Sequence, residues 1–455
     1  MSKCLCKIFV AFVALVGILC GCNGSSGSLY YNYKVADITP EGSVALAGYS
    51  MRKGLSTGVH TPLKTRCLVI ASASEKVCII SNDLHEISPL TADSLRAEIS
   101  KQSGMPAGNI FIHCTHTHSA SAVEGRWTKE GNPNYEYAVE VKNTIVNNAV
   151  EAIADVDSYA PFTMELAMGE GSINYNRKDK NAHTDRDVYV LRLLDKEGKP
   201  VLSLVNYACH PVCLHSGSKV VSTDFPGFTV RELEKHWGGN VMYFSGASGN
   251  SNPTDSLSRH YAYAEYKGKK LAEDIKDIAF EKVKTSGELK VCNKEARLPF
   301  LADTITVELI ENHIKEVIAS GLFTYGTQTS EVESWSVPVL EAVKSGKVKN
   351  YLPLKVSAVN IGGVVFVFSQ GEPYMEYQTK LRSEFPATPI FFAAYTNGQN
   401  TYLPSKVAYT SEIYDYDTKL IHVDIGTPYP LSDKMPDCYS AALKEVAAEV
   451  INDGM

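Results

Sequence analysis

Asn109-Ile110-Phe111-Ile112-His113-Cys114-Thr115-His116-Thr117-His118-Ser119 is the stretch from which the rest of this chain can be read. An apolar run of strand character ends in three histidines, His113, His116 and His118. Imidazole is the commonest metal ligand and the usual proton carrier near neutral pH. Rings crowded in this way must each find a hydrogen-bond partner or a metal, so the cluster points to a metal or catalytic site. The competing reading is a strand end with solvated histidines. His116 and His118 would point to opposite sides of an extended chain, and only a curved loop lets both face one cavity. One is expected to bind metal and the other to act beside it or in proton transfer. His113 lies within the strand and is expected to be structural.

Working outward, strand-like and helix-like segments alternate. Residues 65–70 and 77–81 read as strands. Residues 90–102, 135–156, 228–237, 261–283, 304–320 and 438–452 carry the 3.6-residue apolar spacing of amphipathic helices. This predicts an α/β fold, with a mixed β-sheet core flanked by helices.

Five apolar strands run straight into polar loops. Residues 110–112 lead to His116 and His118, and 201–205 lead to Asn206, Cys209 and His210. Residues 241–244 lead to Ser245-Gly-Ala-Ser-Gly-Asn250, 364–368 to Gly371-Glu372, and 390–394 to Asn397, Asn400 and Tyr402. In α/β sheets, sites are built from loops at the carboxyl ends of strands, so these five are expected to meet in one cleft. His210 precedes Pro211, which holds it out of helical geometry; it reads either as a presented imidazole or as a core-edge histidine. Glu372 reads equally as a metal ligand or as a cap for the helix starting near Tyr374. The Ser245–Pro253 stretch can cradle an oxyanion with backbone N–H groups or be a plain loop. It is not G-x-S-x-G, so a serine-hydrolase elbow is unsupported.

The chain has 455 residues and a net charge of −7. That charge, with no Lys/Arg run, argues against a nucleic-acid partner. Residues 1–21 read as a secretory signal peptide, its apolar stretch too short to span a bilayer. Leu19-Cys20-Gly21-Cys22 resembles a bacterial lipobox, which makes Cys22 the lipidated first residue of a membrane-anchored lipoprotein, periplasmic or on the outer membrane. Residues 22–33 form the lipid-anchored tether and 34–455 a single catalytic domain. Seven cysteines follow Cys22 without a CxxC pair, so a thiolate zinc site is not expected. Cys67 and Cys78, on neighbouring strands, can pair, but buried free thiols fit better because Cys behaves as a small hydrophobe.

Taken in order, these motifs resemble the N-terminal catalytic domain of the neutral/alkaline non-lysosomal ceramidases. The resemblance rests on Ala36-Asp37-Ile38-Thr39-Pro40 with Gly48-Tyr49, and on Gly58-Val59-His60-Thr61 with Arg66. Thr115 to Ser119, His210 with Ser222-Thr223-Asp224, Gly371-Glu372, and the pair Tyr402 and Tyr414 complete it. It runs from about residue 34 to 425 and does not include the family's C-terminal domain. It implies a zinc site made by His116, His210, Glu372 and Tyr402, with His118 as proton carrier, Arg177 as active-site arginine and Tyr414 helping to stabilise an oxyanion. The implied reaction is hydrolysis of an amide in a lipid-like N-acyl substrate by a zinc-activated water.

Two departures stand inside the resemblance. The Gly-Pro-Gly-Gly that follows the histidines in the family is Ala120-Ser121-Ala122-Val123 here, and the family's Gly-Asp/Asn-x-Ser-Pro-Asn is Gly249-Asn250-Ser251-Asn252-Pro253-Thr254. The family's serine position is thus Asn252, with Ser251 one place early, which favours water over serine as nucleophile. The alternatives are a zinc hydrolase of another ester or a glycan-derived substrate, and a zinc-containing binding lipoprotein without catalysis.

Overall fold

The computed structural model describes residues 27–50, 52–254, 261–320, 328–414 and 416–451. The signal peptide, Cys22 and the start of the tether lie outside the described residues. Among the described residues, no helix is long and apolar enough to cross a membrane.

Three large sheets, each with a parallel strand pair at one edge, form the frame. In the first, Lys76–Asn82 runs parallel to Ile110–Cys114, and Lys64–Ala71, Tyr30–Asp37 and Ala160–Pro161 continue it antiparallel. The second pairs Pro200–Tyr207 in parallel with Asn240–Ser245 and extends through Asp187–Leu194, Thr163–Glu170 and Glu281–Lys282. The third pairs Val364–Ser369 in parallel with Ile390–Ala393 and adds Tyr351–Ile361 and Leu289–Pro299.

The sheets share one core. Their inward side chains make a single cluster: Leu68, Ile79 and Phe111 from the first, Leu204, Met242 and Phe244 from the second, Val359, Phe366 and Phe391 from the third. Alternation along each strand sends the neighbours outward. Cys67, Val69 and Ile80 pack under helices Pro89–Ser103 and Tyr135–Ala154. Val205, Tyr207 and Tyr243 pack under Asp224–Trp237 and Tyr261–Ile275. Ala358, Val365 and Phe392 pack under Val307–Ser320, Gln328–Lys344, Met375–Glu384 and Met435–Ile451. Burial on both faces explains why these strands read as unbroken apolar runs. The stacked pair Phe111–Phe368 at 4.4 Å joins the first sheet to the third, and the edge-on pair Phe244–Phe366 at 6.1 Å joins the second to the third. Each such side chain contributes about 1.5–3 kcal/mol by burial.

Three expectations need correction. The helix expected over 261–283 ends at Ile275, and Glu281–Lys282 pairs instead with Thr163–Glu170. Ile278 and Phe280 look like a continuing helical stripe but pack beside the second sheet, while the Trp237 indole N–H binds the Lys276 carbonyl at 2.7 Å. The helix expected from 228 starts at Asp224, whose carboxylate accepts the Phe225 N–H at 2.6 Å in the first turn. The seven cysteines among the described residues are all unbonded, but Cys292 is only half-buried and Cys438 is exposed. The Cys67 and Cys78 sulfurs stand 3.4 Å apart.

His113 pins the frame together. It is fully buried on Ile110–Cys114, the edge strand of the first sheet that faces the other two. Its Nδ1 donates to the Ala394 carbonyl of the third sheet at 2.8 Å, and its Nε2 accepts the Ser245 N–H of the second at 3.2 Å. Burial pushes its pKa down from 6.5 to about 3. Between those values the unfolded chain takes up a proton that the folded one excludes, so stability present above pH 6.5 is lost as pH falls. His113→Leu leaves the Ser245 N–H unpartnered and the Ala394 carbonyl with only the Thr396 hydroxyl, and is expected to cost about 1–3 kcal/mol at pH 7. Because the variant lacks the titrating group, the gap should narrow by about 1.4 kcal/mol per pH unit below pH 6. Urea unfolding of both proteins across this range measures it; a constant gap would show that His113 does not titrate on unfolding.

Candidate metal centre

The carboxyl ends of all three parallel pairs open onto the same point, and the loops that follow them carry the candidate residues. His85 follows Lys76–Asn82, His116 and His118 follow Ile110–Cys114, and His210 follows Pro200–Tyr207. Ser248 and Gly249 follow Asn240–Ser245, Glu372 follows Val364–Ser369, and Gln399 and Tyr402 follow Ile390–Ala393.

His116 adopts a left-handed backbone, φ 65°. That turn removes the strand alternation and brings His116 and His118 to one side, their Nε2 atoms 3.3 Å apart. A non-glycine residue in this region is held at a cost of about 1–3 kcal/mol, met by the surrounding structure. His118 packs against Gly48, where a Cβ would fall 2.6 Å from the ring.

The rings of His116 and His210 are both fixed by their far nitrogens. His116 Nδ1 lies 2.9 Å from the His85 carbonyl, and His210 Nδ1 lies 2.9 Å from the Ser248 carbonyl. A carbonyl can only accept, so each Nδ1 carries the hydrogen and each neutral ring presents an Nε2 lone pair. Those two Nε2 atoms face each other at 3.0 Å. Glu372 Oε2 stands 3.3 Å from each, with no hydrogen-bond donor among the described residues. Three acceptors so close, all buried, repel one another unless a cation lies among them. Burial, with the neighbouring His116 and Arg177, holds His210 well below its ordinary pKa. Burial and the imidazoles of His85, His116 and His210 do the same to His118. His210 is therefore held in the neutral form that binds metal, and His118 in the neutral form that accepts a proton. Two imidazoles and a carboxylate suit zinc, so the donor set fits that ion.

Tyr402 and Glu372 are direct partners in a short parallel pair, Glu372–Pro373 with Tyr402–Leu403, which places their side chains on one face. Arg177 lies over the Tyr402 ring at 5.4 Å and donates to the Gly249 carbonyl at 2.6 Å. Burial works against the Arg177 charge, but Tyr402 and Asp417 outweigh it and raise its pKa. Burial and the Glu372 charge raise the Tyr402 pKa, and Arg177 opposes them. Tyr414 closes the turn Glu412–Tyr414, and its side chain lies outside the described residues.

Several open readings resolve. Glu372 caps no helix: the Met375 N–H is taken by Asn250 Oδ1 at 2.9 Å, leaving Glu372 to face the histidines. Between Ser245 and Pro253, where a cradle and a plain loop were both open, four backbone N–H groups are already committed within the protein. The N–H groups of Gly246, Gly249 and Ser251 bond the carbonyls of Tyr207, Pro373 and Ser248, and that of Ala247 bonds Gln378 Oε1. The loop instead brings its backbone against Glu372; a Cβ on Gly249 would stand 2.5 Å from the Glu372 carbonyl. Ser251 and Asn252 lie on a ribbon, Ser251–Pro253 with Asn174–Asn176, and so point to opposite faces. The Ser251 hydroxyl is buried against the Ala208 carbonyl at 2.8 Å and Asn174 at 3.1 Å. Asn252, opposite Tyr175, shares its face with Arg177, and its Oδ1 is buried without a partner.

Sequence reading missed four residues beside the centre. His85 stacks on His116, ring centroids 4.4 Å apart; its place after a parallel strand was the available signal. Gln399 donates from Nε2 to Glu372 Oε1. Asp417, with its side chain wholly buried, pairs with Lys178 at 2.6 Å and accepts from the Tyr374 hydroxyl. Nothing in the local sequence of Gln399, Asp417 or Lys178 marks them, because their partners lie far along the chain.

Residues 33–258 match the family model described as neutral/alkaline non-lysosomal ceramidase, N-terminal. Neutral ceramidase B of Dictyostelium discoideum is 25% identical over 257 residues, covering 51% of this chain and 36% of the relative. Neutral ceramidase of Drosophila melanogaster is 24% identical over 282 residues, covering 54% and 38%. The match thus spans little more than a third of the length of these relatives. The crystal structure of neutral ceramidase from Pseudomonas aeruginosa superposes with a TM-score of 0.69 at 17% identity, over 94% of this chain and 75% of that one. A structure titled ceramidase complexed with C2 gives 0.68 at 16% identity, over 94% and 77%. The fold is shared with both, and the motifs that run from Ala36 to Asp224 fall within the matched region: the chain belongs to the neutral/alkaline non-lysosomal ceramidase family.

Proposed function

We propose that this chain is a zinc-dependent hydrolase of an amide bond in a lipid-like N-acyl substrate. The observation that carries the reading is the set of facing acceptors: His116 Nε2, His210 Nε2 and Glu372 Oε2 within 3.0–3.3 Å of one another, with both Nδ1 hydrogens already used. Tyr402 is the fourth ligand in this reading. Bound there, zinc would polarise an acyl carbonyl and acidify an attacking water. His118, kept neutral beside His116, takes a proton and returns it to the leaving amine. Arg177 holds the Tyr402 ring and the Gly249 carbonyl in place, and Tyr414 is proposed to stabilise charge developing on the acyl oxygen. Family membership supports the amide bond and the N-acyl class. The same membership suggests a ceramide-like molecule without fixing its head group.

The Ser251 hydroxyl is committed to Ala208 on the far face of its ribbon, so water rather than serine is the nucleophile in this reading. We also propose that the chain is a lipoprotein held at the membrane through Cys22, by acyl chains on that residue.

The metal is tested first. Purified protein loaded with zinc and dialysed should hold about one zinc per chain, and His116→Ala or His210→Ala should hold almost none. Full zinc in both variants means that the ligands lie elsewhere.

The nucleophile is tested on a panel of N-acyl substrates. Ser251→Ala should retain turnover within about tenfold, or 1.4 kcal/mol of barrier, although loss of a buried hydrogen bond should lower stability by about 1 kcal/mol. His118→Ala should lose about 10²–10⁴-fold in rate. A Ser251→Ala protein with full zinc that is as inactive as His118→Ala would restore a serine nucleophile. A wild type that binds zinc but turns over nothing on the panel, esters included, points to a binding protein.

Anchoring is read from fractionation. Cys22→Ser should move the protein from the membrane to the soluble fraction; unchanged partition would mean that the attachment is not lipidation of Cys22.

A further inference from the structure

The carboxylate in the centre needs a device to aim it. A glutamate has three side-chain torsions and two equivalent oxygens, and only Oε2 of Glu372 faces the two histidines, at 3.3 Å from each. The other oxygen, Oε1, accepts a hydrogen bond from Nε2 of Gln399. A carboxamide donor on one oxygen leaves the other as the ligand and fixes the plane of the carboxylate.

The backbone around Gln399 is clamped on both sides. Its own N–H donates to the Ile87 carbonyl at 2.8 Å, in the loop that carries His85. Two residues earlier, Asn397 exchanges hydrogen bonds with Ile112 on the strand leading to His116: its N–H donates to the Ile112 carbonyl at 2.8 Å, and its Oδ1 accepts the Ile112 N–H at 2.9 Å. Gly398 has φ 126° and lies so close to Pro89 that a Cβ would fall 2.6 Å from its Cα. The Gly398 carbonyl accepts the Gly371 N–H at 3.1 Å, beside Glu372 itself. The loop therefore registers the turn carrying Glu372 against the strand carrying His116, and Gln399 is the side chain in it that reaches the carboxylate.

We infer that Gln399 is a positioning residue for the metal centre: it orients Glu372 so that one oxygen, and not both, is offered to the cation. The inference rests on the zinc reading above and adds a residue to it. Groups that orient a metal ligand by hydrogen bonding are worth about 10–100-fold in metal affinity.

The test is zinc affinity measured by competition with a chromophoric chelator, in a double-mutant cycle. Gln399→Met keeps the length of the side chain and removes the donor; it should weaken zinc binding about 10–100-fold. Glu372→Ala should weaken it further, and adding Gln399→Met to Glu372→Ala should change nothing more, because Gln399 acts through that carboxylate. Cobalt-loaded Gln399→Met should also show a shifted visible spectrum, as a freed Glu372 changes the coordination of the ion. Gln399→Ala repeats the cycle if the methionine variant does not fold. Wild-type affinity in Gln399→Met, or an equal loss in both backgrounds, overturns the inference. A wild type that binds no zinc overturns the metal reading itself, which keeps the two failures apart.

Discussion

One buried imidazole bonds to both neighbouring sheets at the point where all three meet. Their edge strands carry no continuous ladder, only single backbone bonds such as Cys114 N–H to the Tyr395 carbonyl and Ala394 N–H to the Ser245 carbonyl, both 3.1 Å, so side-chain links help to fix their relative register. His113 does so with two bonds, one to the second sheet at Ser245 and one to the third at Ala394. Around it, the Asn206 carboxamide bridges the carbonyls of Phe244 and Phe392 at 3.0 and 2.8 Å, and the Ser81 hydroxyl reaches the Tyr243 carbonyl at 2.9 Å. These polar links sit at the ends of strands whose apolar faces fill the shared core. Burial supplies most of the energy, and the polar links select one alignment from the many that burial alone would allow. His116 lies three residues beyond His113, His210 four beyond Asn206, and Glu372 three beyond the end of its strand. An error of one residue in strand register would carry each candidate ligand to the wrong side.

This explains what could be read from the chain alone. Strands buried on both faces appear as continuous apolar runs, so Ile110–Cys114, Val364–Ser369 and Ile390–Ala393 are plain in the sequence. The half-covered strands are not. Leu289–Pro299 mixes Lys, Glu and Arg with its apolar residues, because much of one face is open to solvent, and it carries no period strong enough to distinguish it from a loop. The failure at 276–283 has the same origin: Ile278 and Phe280 are apolar because they cover the edge of a sheet, and apolar spacing by itself does not say what is covered.

The centre divides along similar lines. Histidines and a glutamate that follow apolar strands were legible because sites collect at strand ends. Their chemistry is carried by residue type and needs no knowledge of the partner. Gln399, Asp417 and Lys178 were not legible, because a Gln, an Asp or a Lys in a loop has many uses. What gives each a role is a partner brought near by folding, as with Gln399 and Glu372 across the paired loops. His85 lies between these cases, following a parallel strand as the ligands do. It was passed over because the stretch Asn82-Asp83-Leu84-His85-Glu86 holds only one imidazole.

The ribbon that carries Ser251 and Asn252 shows how a one-residue difference becomes a chemical one. Strand pairing alternates side chains, so neighbouring positions cannot substitute for one another without a bulge, and the pairing of Ser251 with Asn176 and Asn252 with Tyr175 is regular. A serine one place early is therefore a serine on the wrong face, where its hydroxyl completes a buried bond to Ala208. The carboxamide of Asn252 takes the face that Arg177 shares. It can donate and accept but cannot be acylated as a hydroxyl can, which is why the proposed reaction draws its nucleophile from solvent. In that proposal the candidate metal centre, and the orientation of Glu372 within it, carry more of the reaction.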